Sequence, residues 1–266
     1  MRADQLLVER GLAASRSQAV RLIAGGLRWR DGADWRLVGK NRDEIPASAE
    51  LELLDAAEAR FVSRGGLKLE GALAAAGVDP RGKRCLDVGQ STGGFTDCLL
   101  QRGATQVVGV DVGHGQLHPR IRGDARVLAV EGCNARTLGA EAWGADPAQD
   151  ERFGLIVGDL SFISLTLVLP ALVPLLAADG DLLMLVKPQF ELQPGQVGKG
   201  GIVRDPALHA VVEHRLRDAC ALLGLRVLGW LDSPIAGGDG NREFFIHAVR
   251  EQGDFPGAGR APTAQL

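Results

Sequence analysis

Seven short apolar runs in the last two thirds of the chain constrain its fold more than any other feature: RCLDVG, TQVVGVDVG, RVLAV, GLIVGDL, DLLMLVKP, LRVLGWL and EFFIHAV. They are mostly continuous rather than alternating, as in strands whose two faces are both covered. Helical segments separate most of them. In ALHAVVEHRLRDACALLG, Asp205 and Pro206 supply an N-cap and a first helical residue, and Gly224 closes the helix. Leu208, Val211, Val212, Leu216, Ala219, Leu222 and Leu223 form its expected apolar stripe. Alternation of this kind predicts a Rossmann-like, doubly wound α/β domain with a parallel sheet. The last two runs lie close together, joined by the polar loop SPIAGGDGNR, which predicts an antiparallel last strand.

Residues 1–58 read differently, as a small N-terminal α+β module. Asp4 is placed to cap a helix over QLLVER, which Gly11 ends. Ser15 begins a second helix, SRSQAVRLIAGG, with Gln18 at capping-box spacing and Gly25 at its stop. LRW and LELL are strand-like pieces around polar turns. The chain as a whole carries a net charge of -3, but residues 1–30 hold six arginines (Arg2, Arg10, Arg16, Arg21, Arg28, Arg30) against Asp4 and Glu9. Such a face is either simply solvated or contacts phosphates, which arginine binds in a bidentate manner. A short linker near 56–62 (AAEARFV) leads to the larger domain over 62–250, and EQGDFPGAGRAPTAQL (251–266) is expected to be a disordered tail.

Several classes are disfavoured. The N-terminal MRADQLLVERG is charged from its first turn, unlike a secretion signal. The longest apolar run, Leu165 to Ala178, contains Pro170 and Pro174 and is too short to span a membrane. Cys85, Cys98, Cys133 and Cys220 form no CxxC pair and read as reduced thiols of a cytoplasmic protein. His114 and His118 have i, i+4 spacing but no third ligand in view, so no metal site is expected.

In LDVGQSTGGFTD (86–97) a strand ends at an acid and gives way to a glycine-rich turn and a helix. Ligands of doubly wound sheets bind beyond such strand ends, where free N–H groups at a helix start favour negative groups. Gly89 permits a sharp turn, and Gly93 and Gly94 permit close approach of backbone to a ligand. The pattern is neither GxGxxG nor a P-loop. Asp111, at the end of the next strand, can accept two ribose hydroxyls. A nucleotide-like cofactor follows, either NAD or S-adenosyl-L-methionine. Asp87 favours the second, because a carboxylate suits a cationic methionine end and repels a pyrophosphate.

Other strand ends carry chemistry. Asp159 follows GLIVG, Lys187 follows LLMLV, Glu243 opens the last strand, and Lys68 lies on a short helix within SRGGLKLEGAL. Two lysines and two acids on one rim suit attack by a ribose 2′-OH, a poor nucleophile until its proton is removed. A lysine serves as base when burial and a neighbouring cation favour its neutral form.

SRGGLKL, LDVGQSTGGFTD, VGVDVGHGQLH, DLSFISL, KPQFE, KGGIVRDP and GNREFF, in this order, resemble the TlyA family of ribosomal RNA 2′-O-methyltransferases, whose members also carry the name hemolysin. ERGLAASRSQAVRLIAGG resembles an S4 RNA-binding domain. The resemblance implies an FtsJ-like catalytic domain with a Lys68–Asp159–Lys187–Glu243 tetrad, in which Lys187 is the favoured base. It implies a cofactor loop of Asp87, Gly89, Ser91, Thr92, Gly93 and Gly94, with Asp111 on the ribose and Asn134 near the adenine. The implied substrate is ribosomal RNA in ribosomal subunits, at cytidine, with Arg2, Arg16, Arg21, Arg28 and Arg64 as candidate RNA contacts. Departures are few. Gln90 stands where a small residue is expected, His114 and Cys133 stand where relatives often have tyrosine and threonine, and MRADQ and GLRWRDGADWRL depart from the S4 pattern. A membrane-active protein would need a secretion signal, a long apolar segment or a basic amphipathic helix, none of which is seen. A ribosome-associated RNA binder without activity conflicts with the intact tetrad and loop.

Overall fold

In the computed structural model, which describes residues 1–13, 15–54, 60–145, 152–237 and 240–251, the chain opens with helices α1 (Ala3–Glu9) and α2 (Arg16–Ala24). An antiparallel sheet of β1 (Leu27–Asp31), β2 (Asp34–Leu37) and β3 (Leu51–Leu53) follows, in the order β2-β1-β3. Leu6, Leu7, Leu22, Leu27, Val38 and Ile45 form its core. Strand β2 was not expected, because DWRL carries no apolar run. It forms as the return arm of a hairpin whose turn Gly32 permits with φ +64°.

Asp4 does not cap α1. It lies inside the first turn, 1% exposed, where it accepts from Arg2 Nη2 at 2.8 Å and Arg16 Nη2 at 2.9 Å. No side-chain cap is required, because Ala3 N donates to Asp43 O and Asp4 N to Asn41 O, satisfying two of the free helix donors. Ser15 does cap α2, accepting from Gln18 N at 3.2 Å, while the Gln18 amide reaches Phe61 O instead of closing a box. The Arg2 hydrogen bond, with Arg16 beside it, holds the Asp4 carboxyl at about 2, below its ordinary 3.8. A depressed carboxyl stabilises the fold above its unfolded value and loses that contribution as pH falls towards the folded one, here between about 4 and 2. Asp4→Asn is therefore expected to accelerate tryptic cleavage within residues 15–54 at pH 8, with cleavage of the rest unchanged. Equal rates in variant and wild type would show that these pairs contribute nothing.

The seven apolar runs become one sheet. In chain order the elements are α3 (Gly65–Ala76), β4 (Arg84–Val88), α4 (Gly94–Gln101), β5 (Gln106–Asp111), α5 (Pro119–Arg122), β6 (Val127–Glu131) and β7 (Phe153–Gly158). Then come α6 (Leu169–Leu172), β8 (Leu176–Val186), α7 (Pro188–Glu191), α8 (Pro206–Leu222), β9 (Leu225–Asp232) and β10 (Phe244–Arg250). The strand order is β6-β5-β4-β7-β8-β10-β9, with β4 to β8 parallel and β10 antiparallel to both neighbours. Alternate residues of one strand feed opposite cores. Cys85, Val107, Leu155 and Leu183 face one apolar cluster, and Leu86, Val108, Ile156 and Leu182 face the other. That two-sided burial is the physical source of the continuous apolar runs.

Helix α8 has its predicted N-cap, with Ala207 N donating to Asp205 at 2.9 Å. Its buried face is narrower than the seven-residue stripe. His209, Val212, Leu216 and Cys220 point inwards, whereas Val211 and Leu222 are exposed. Residues three and four apart share one row, and only that row reaches the sheet. Among the described residues no helix is long and apolar enough to cross a membrane. Residues 252–266 of the expected tail (251–266) and 56–59 of the expected linker (56–62) lie outside the described residues.

Candidate active site

The chain leaves β4 outwards to β6 and then returns to add β7 on the other side of β4. This reversal opens a crevice at the carboxyl ends of the strands. Asp159 follows β7 directly, and Lys187 follows β8, where Pro188 turns the chain into α7. The pairing Gly158↔Met184 sets these two ends side by side. Lys187 Nζ lies 2.6 Å from Asp159 Oδ1 and donates to Ser161 Oγ at 2.9 Å.

The antiparallel β10 completes the rim. Because Phe244 pairs with Val186, the start of β10 meets the end of β8, and Glu243 arrives beside Lys187. Lys68, in the first turns of α3, reaches Glu243 Oε2 at 2.5 Å, and both are nearly buried at 8% and 4% exposure. Burial raises the Glu243 carboxyl above its ordinary range; Lys68 and then Lys187 oppose this, and Asp159 adds to it. All four side chains thus act on one another in a single electrostatic cluster.

The turn after β4 is tightly wound. Gly89 (φ +85°), Ser91 (φ +46°) and Gly93 (φ +92°) all take left-handed backbone, so even a serine is held in the conformation glycine prefers. Gly89 N and Gln90 N both donate to Val110 O, at 2.8 and 3.1 Å. Asp111 accepts from Ser91 N at 2.8 Å and Gly113 N at 2.7 Å, one bond on each carboxylate oxygen. An ionised carboxylate offers about four acceptor positions, so two remain for ribose hydroxyls. Asn134 begins the turn after β6 and accepts from Arg136 N at 3.0 Å, while Cys133 N donates to Asp111 O. Asn134 and Asp111 therefore occupy neighbouring strand ends.

The loop glycines were expected to admit a ligand, but their near neighbours are other parts of the chain. A Cβ at Gly89 would stand 2.6 Å from the Asp159 carbonyl oxygen, and one at Gly93 2.8 Å from Leu117. At Gly94 it would strike Ser63. Gly94 thereby lets the start of α3, and with it Lys68, pack against the glycine turn.

Asp87 is fully buried behind that loop. Its Oδ2 accepts from Thr96 Oγ1 at 2.6 Å, and its Oδ1 has no hydrogen-bond partner. Burial pushes its carboxyl up to about 7, against the Thr96 bond, with Asp159 and Asp111 adding to the rise. In front of it lies a cavity of 240 Å³ whose walls include Ser63, Ser91, Thr92, Asp159 and Lys187. Asp87, Asp111 and Asp159 around a turn rich in backbone N–H groups fit a ligand with a cationic centre, a carboxylate and a ribose. The orphaned Asp87 oxygen makes a nearby cation favourable.

The five candidate RNA-contacting arginines are scattered. Arg2 and Arg16 pair with Asp4, while Arg28 binds Glu52 and lies over the Trp35 ring at 4.8 Å. Arg21 is half-buried on α2. Arg64 occupies the N-cap position of α3 without a side-chain cap bond, one turn from Lys68, and donates to Ala236 O at 3.0 Å, so only Arg64 of the five adjoins the tetrad.

Sequence reasoning missed the groups that shape the rim. Glu191, 3% exposed, accepts from Ser164 Oγ at 2.5 Å and Leu165 N at 2.7 Å, which pins the loop carrying Ser161. Asn241, 1% exposed, accepts from Val203 N and donates to Gly201 O, tying GGIVRD to GNREFF. Asp97 on α4 accepts from Val62 N and Arg120 Nη2, fastening the entry of the domain to α4. The quoted motifs contain all three, yet a lone acid or amide there is indistinguishable from a solvated one until its partners are known.

A doubly wound sheet with an antiparallel β10, an acid-bearing glycine turn after its first strand and a lysine–carboxylate rim defines a methyltransferase that uses S-adenosylmethionine. Residues 61–250 match the family model described as FtsJ-like methyltransferase. The chain is 46% identical over 245 residues to the Mycobacterium tuberculosis protein named 16S/23S rRNA (cytidine-2′-O)-methyltransferase TlyA, covering 92% of this chain and 88% of that one. It is 36% identical to Hemolysin A of Brachyspira hyodysenteriae, covering 94% of this chain and 100% of that one. A solved structure from Streptococcus thermophilus, also bearing the hemolysin name, superposes with a TM-score of 0.70 at 38% identity, covering 96% of this chain and 91% of that one. The chain belongs to the FtsJ-like methyltransferases and, among them, to the TlyA family.

Proposed function

We propose that this protein methylates the 2′-OH of a cytidine in ribosomal RNA, with Lys187 as the base. The observation that carries the reading is the Lys187–Asp159 pair, 2.6 Å apart beside the buried Lys68–Glu243 pair, on the rim above the cofactor turn. The named activity of the Mycobacterium tuberculosis relative supplies the nucleotide.

S-adenosylmethionine, when bound, supplies an electrophilic methyl carbon on a cationic sulfur. Asp111 and Asn134 hold the ribose and adenine end, and the turn 89–94 receives the methionine end. Asp159 and Ser161 aim Lys187 Nζ at the position of the ribose hydroxyl. A lysine accepts a proton only in its neutral form. The ribose hydroxyl gives its proton to Nζ, and its oxygen would take the methyl group that the bound cofactor would supply. Alignment of the hydroxyl with that carbon is a positioning task, and the pinned loop and α3 supply the rigidity. Lys68 and Glu243 fix the charge of the rim. Residues 1–54, with their S4-like sequence, and Arg64 contact phosphates. Such contacts predict binding that weakens steeply with salt.

The test is transfer of a radiolabelled methyl group to isolated small and large ribosomal subunits that lack the modification, followed by nucleoside analysis. Label is expected as 2′-O-methylcytidine. No label in either subunit, from protein that binds S-adenosylhomocysteine, would overturn the assignment to ribosomal RNA.

A further inference from the structure

Gln90 brings a long side chain into a tight turn, and its bulk goes inwards: the residue is only 6% exposed. Its Nε2 donates to Thr96 Oγ1 at 2.9 Å, and Thr96 Oγ1 donates to Asp87 Oδ2 at 2.6 Å. The direction of this chain follows from the groups. An amide N–H only donates, so Thr96 Oγ1 accepts from Gln90 and turns its own proton towards Asp87. The carboxamide rests on Gly109, the residue of β5 paired with Asp87, and a Cβ there would collide with it. Bulk at 90 and its absence at 109 are therefore complementary. Gln90 also lines the cavity shared by Lys187 and Asp159. It stands between that cavity and the sealed carboxylate.

We propose that Gln90 is a positioning residue for the cofactor: its bond to Thr96 anchors the turn 89–93 to Asp87 and holds it in the shape that receives the methionine end. The inference rests on the methyltransferase reading. A small residue at 90 could not make the bond. Asp87 in this arrangement acts on the cofactor through Thr96 and Gln90.

Purely steric filling above Gly109 is the competing explanation, and substitutions separate the two. Gln90→Met keeps the bulk and removes the donor. Thr96→Val removes the middle of the chain. Gln90→Ala with Gly109→Ala returns a methyl group to the vacated space without any bond. Binding of S-adenosylhomocysteine is measured by calorimetry on the full chain, with thermal melting to confirm that each variant is folded.

Gln90→Met and Thr96→Val are each expected to weaken binding about 10-fold, the scale of one buried hydrogen bond. The pair combined should be little worse than either alone, because both break one chain. With ribosomal substrate, Gln90→Met should raise KM for the cofactor by a similar factor and change kcat by less than about 2-fold, the signature of lost uniform binding. Wild-type affinity in Gln90→Met, or full recovery in the Gln90→Ala/Gly109→Ala pair, would overturn the proposal in favour of filling. Absence of S-adenosylhomocysteine binding by the wild type would instead overturn the methyltransferase reading on which it rests.

Discussion

Lys187→Ala is expected to slow single-turnover methyl transfer by about 10²–10⁴-fold, the range typical for loss of a general base. Affinity for S-adenosylhomocysteine should stay within about 2-fold of wild type, since the side chain engages Asp159 and Ser161 at the rim. Lys187→Arg is expected to be equally inactive. A guanidinium retains the charge and the ion pair with Asp159 but does not give up its proton, so it cannot serve as a base. The arginine variant therefore distinguishes a base from a merely electrostatic lysine. Activity in Lys187→Arg close to wild type would exclude proton transfer to residue 187, and full activity in Lys187→Ala would remove it from the chemistry altogether.

Lys68→Met is expected to destabilise the fold by about 3–5 kcal/mol at pH 8, the usual cost of stranding one member of a buried ion pair. Glu243 is 4% exposed, and its carboxyl is already pushed up by burial with Lys68 opposing. Without Lys68 the ionised form loses its 2.5 Å partner. A carboxyl raised in the folded state makes folding costly wherever it must ionise. The deficit of the variant should thus be largest at alkaline pH and shrink as pH falls through the folded value and Glu243 becomes neutral. Thermal melts at pH 8 and pH 5 read this directly. Lys68→Met combined with Glu243→Gln should recover most of the stability while remaining impaired in methyl transfer. A deficit that is the same at both pH values would show that Glu243 is not the stranded charge.

The strands were legible because burial on both faces leaves a mark on sequence that few other environments leave, and the runs at 84–89, 105–113 and 154–160 overlap strands at 84–88, 106–111 and 153–158. Asp159 and Lys187 stood out for the same reason: each is the first ionisable group after such a run. The Asp4 and α8 readings failed where local pattern competed with a long-range partner. Backbone carbonyls of residues 41 and 43 took over the capping of α1, leaving Asp4 to two arginines. The single row of α8 that meets the sheet left Val211 and Leu222 outside.

Local chemistry alone determined which residues carry ionisable groups at strand ends, and it marked the glycine turn with Asp87 before it and Asp111 beyond it as the expected place of a nucleotide-like cofactor. It could not determine that Glu243 lies against Lys68, or that both lie beside Lys187. Those pairings follow from the insertion of β10 between β8 and β9, a choice made by strand register and two-sided packing. Nor could it show that Asp87 is sealed behind Thr96 and Gln90, since depth from solvent belongs to the assembled sheet and not to any stretch of chain.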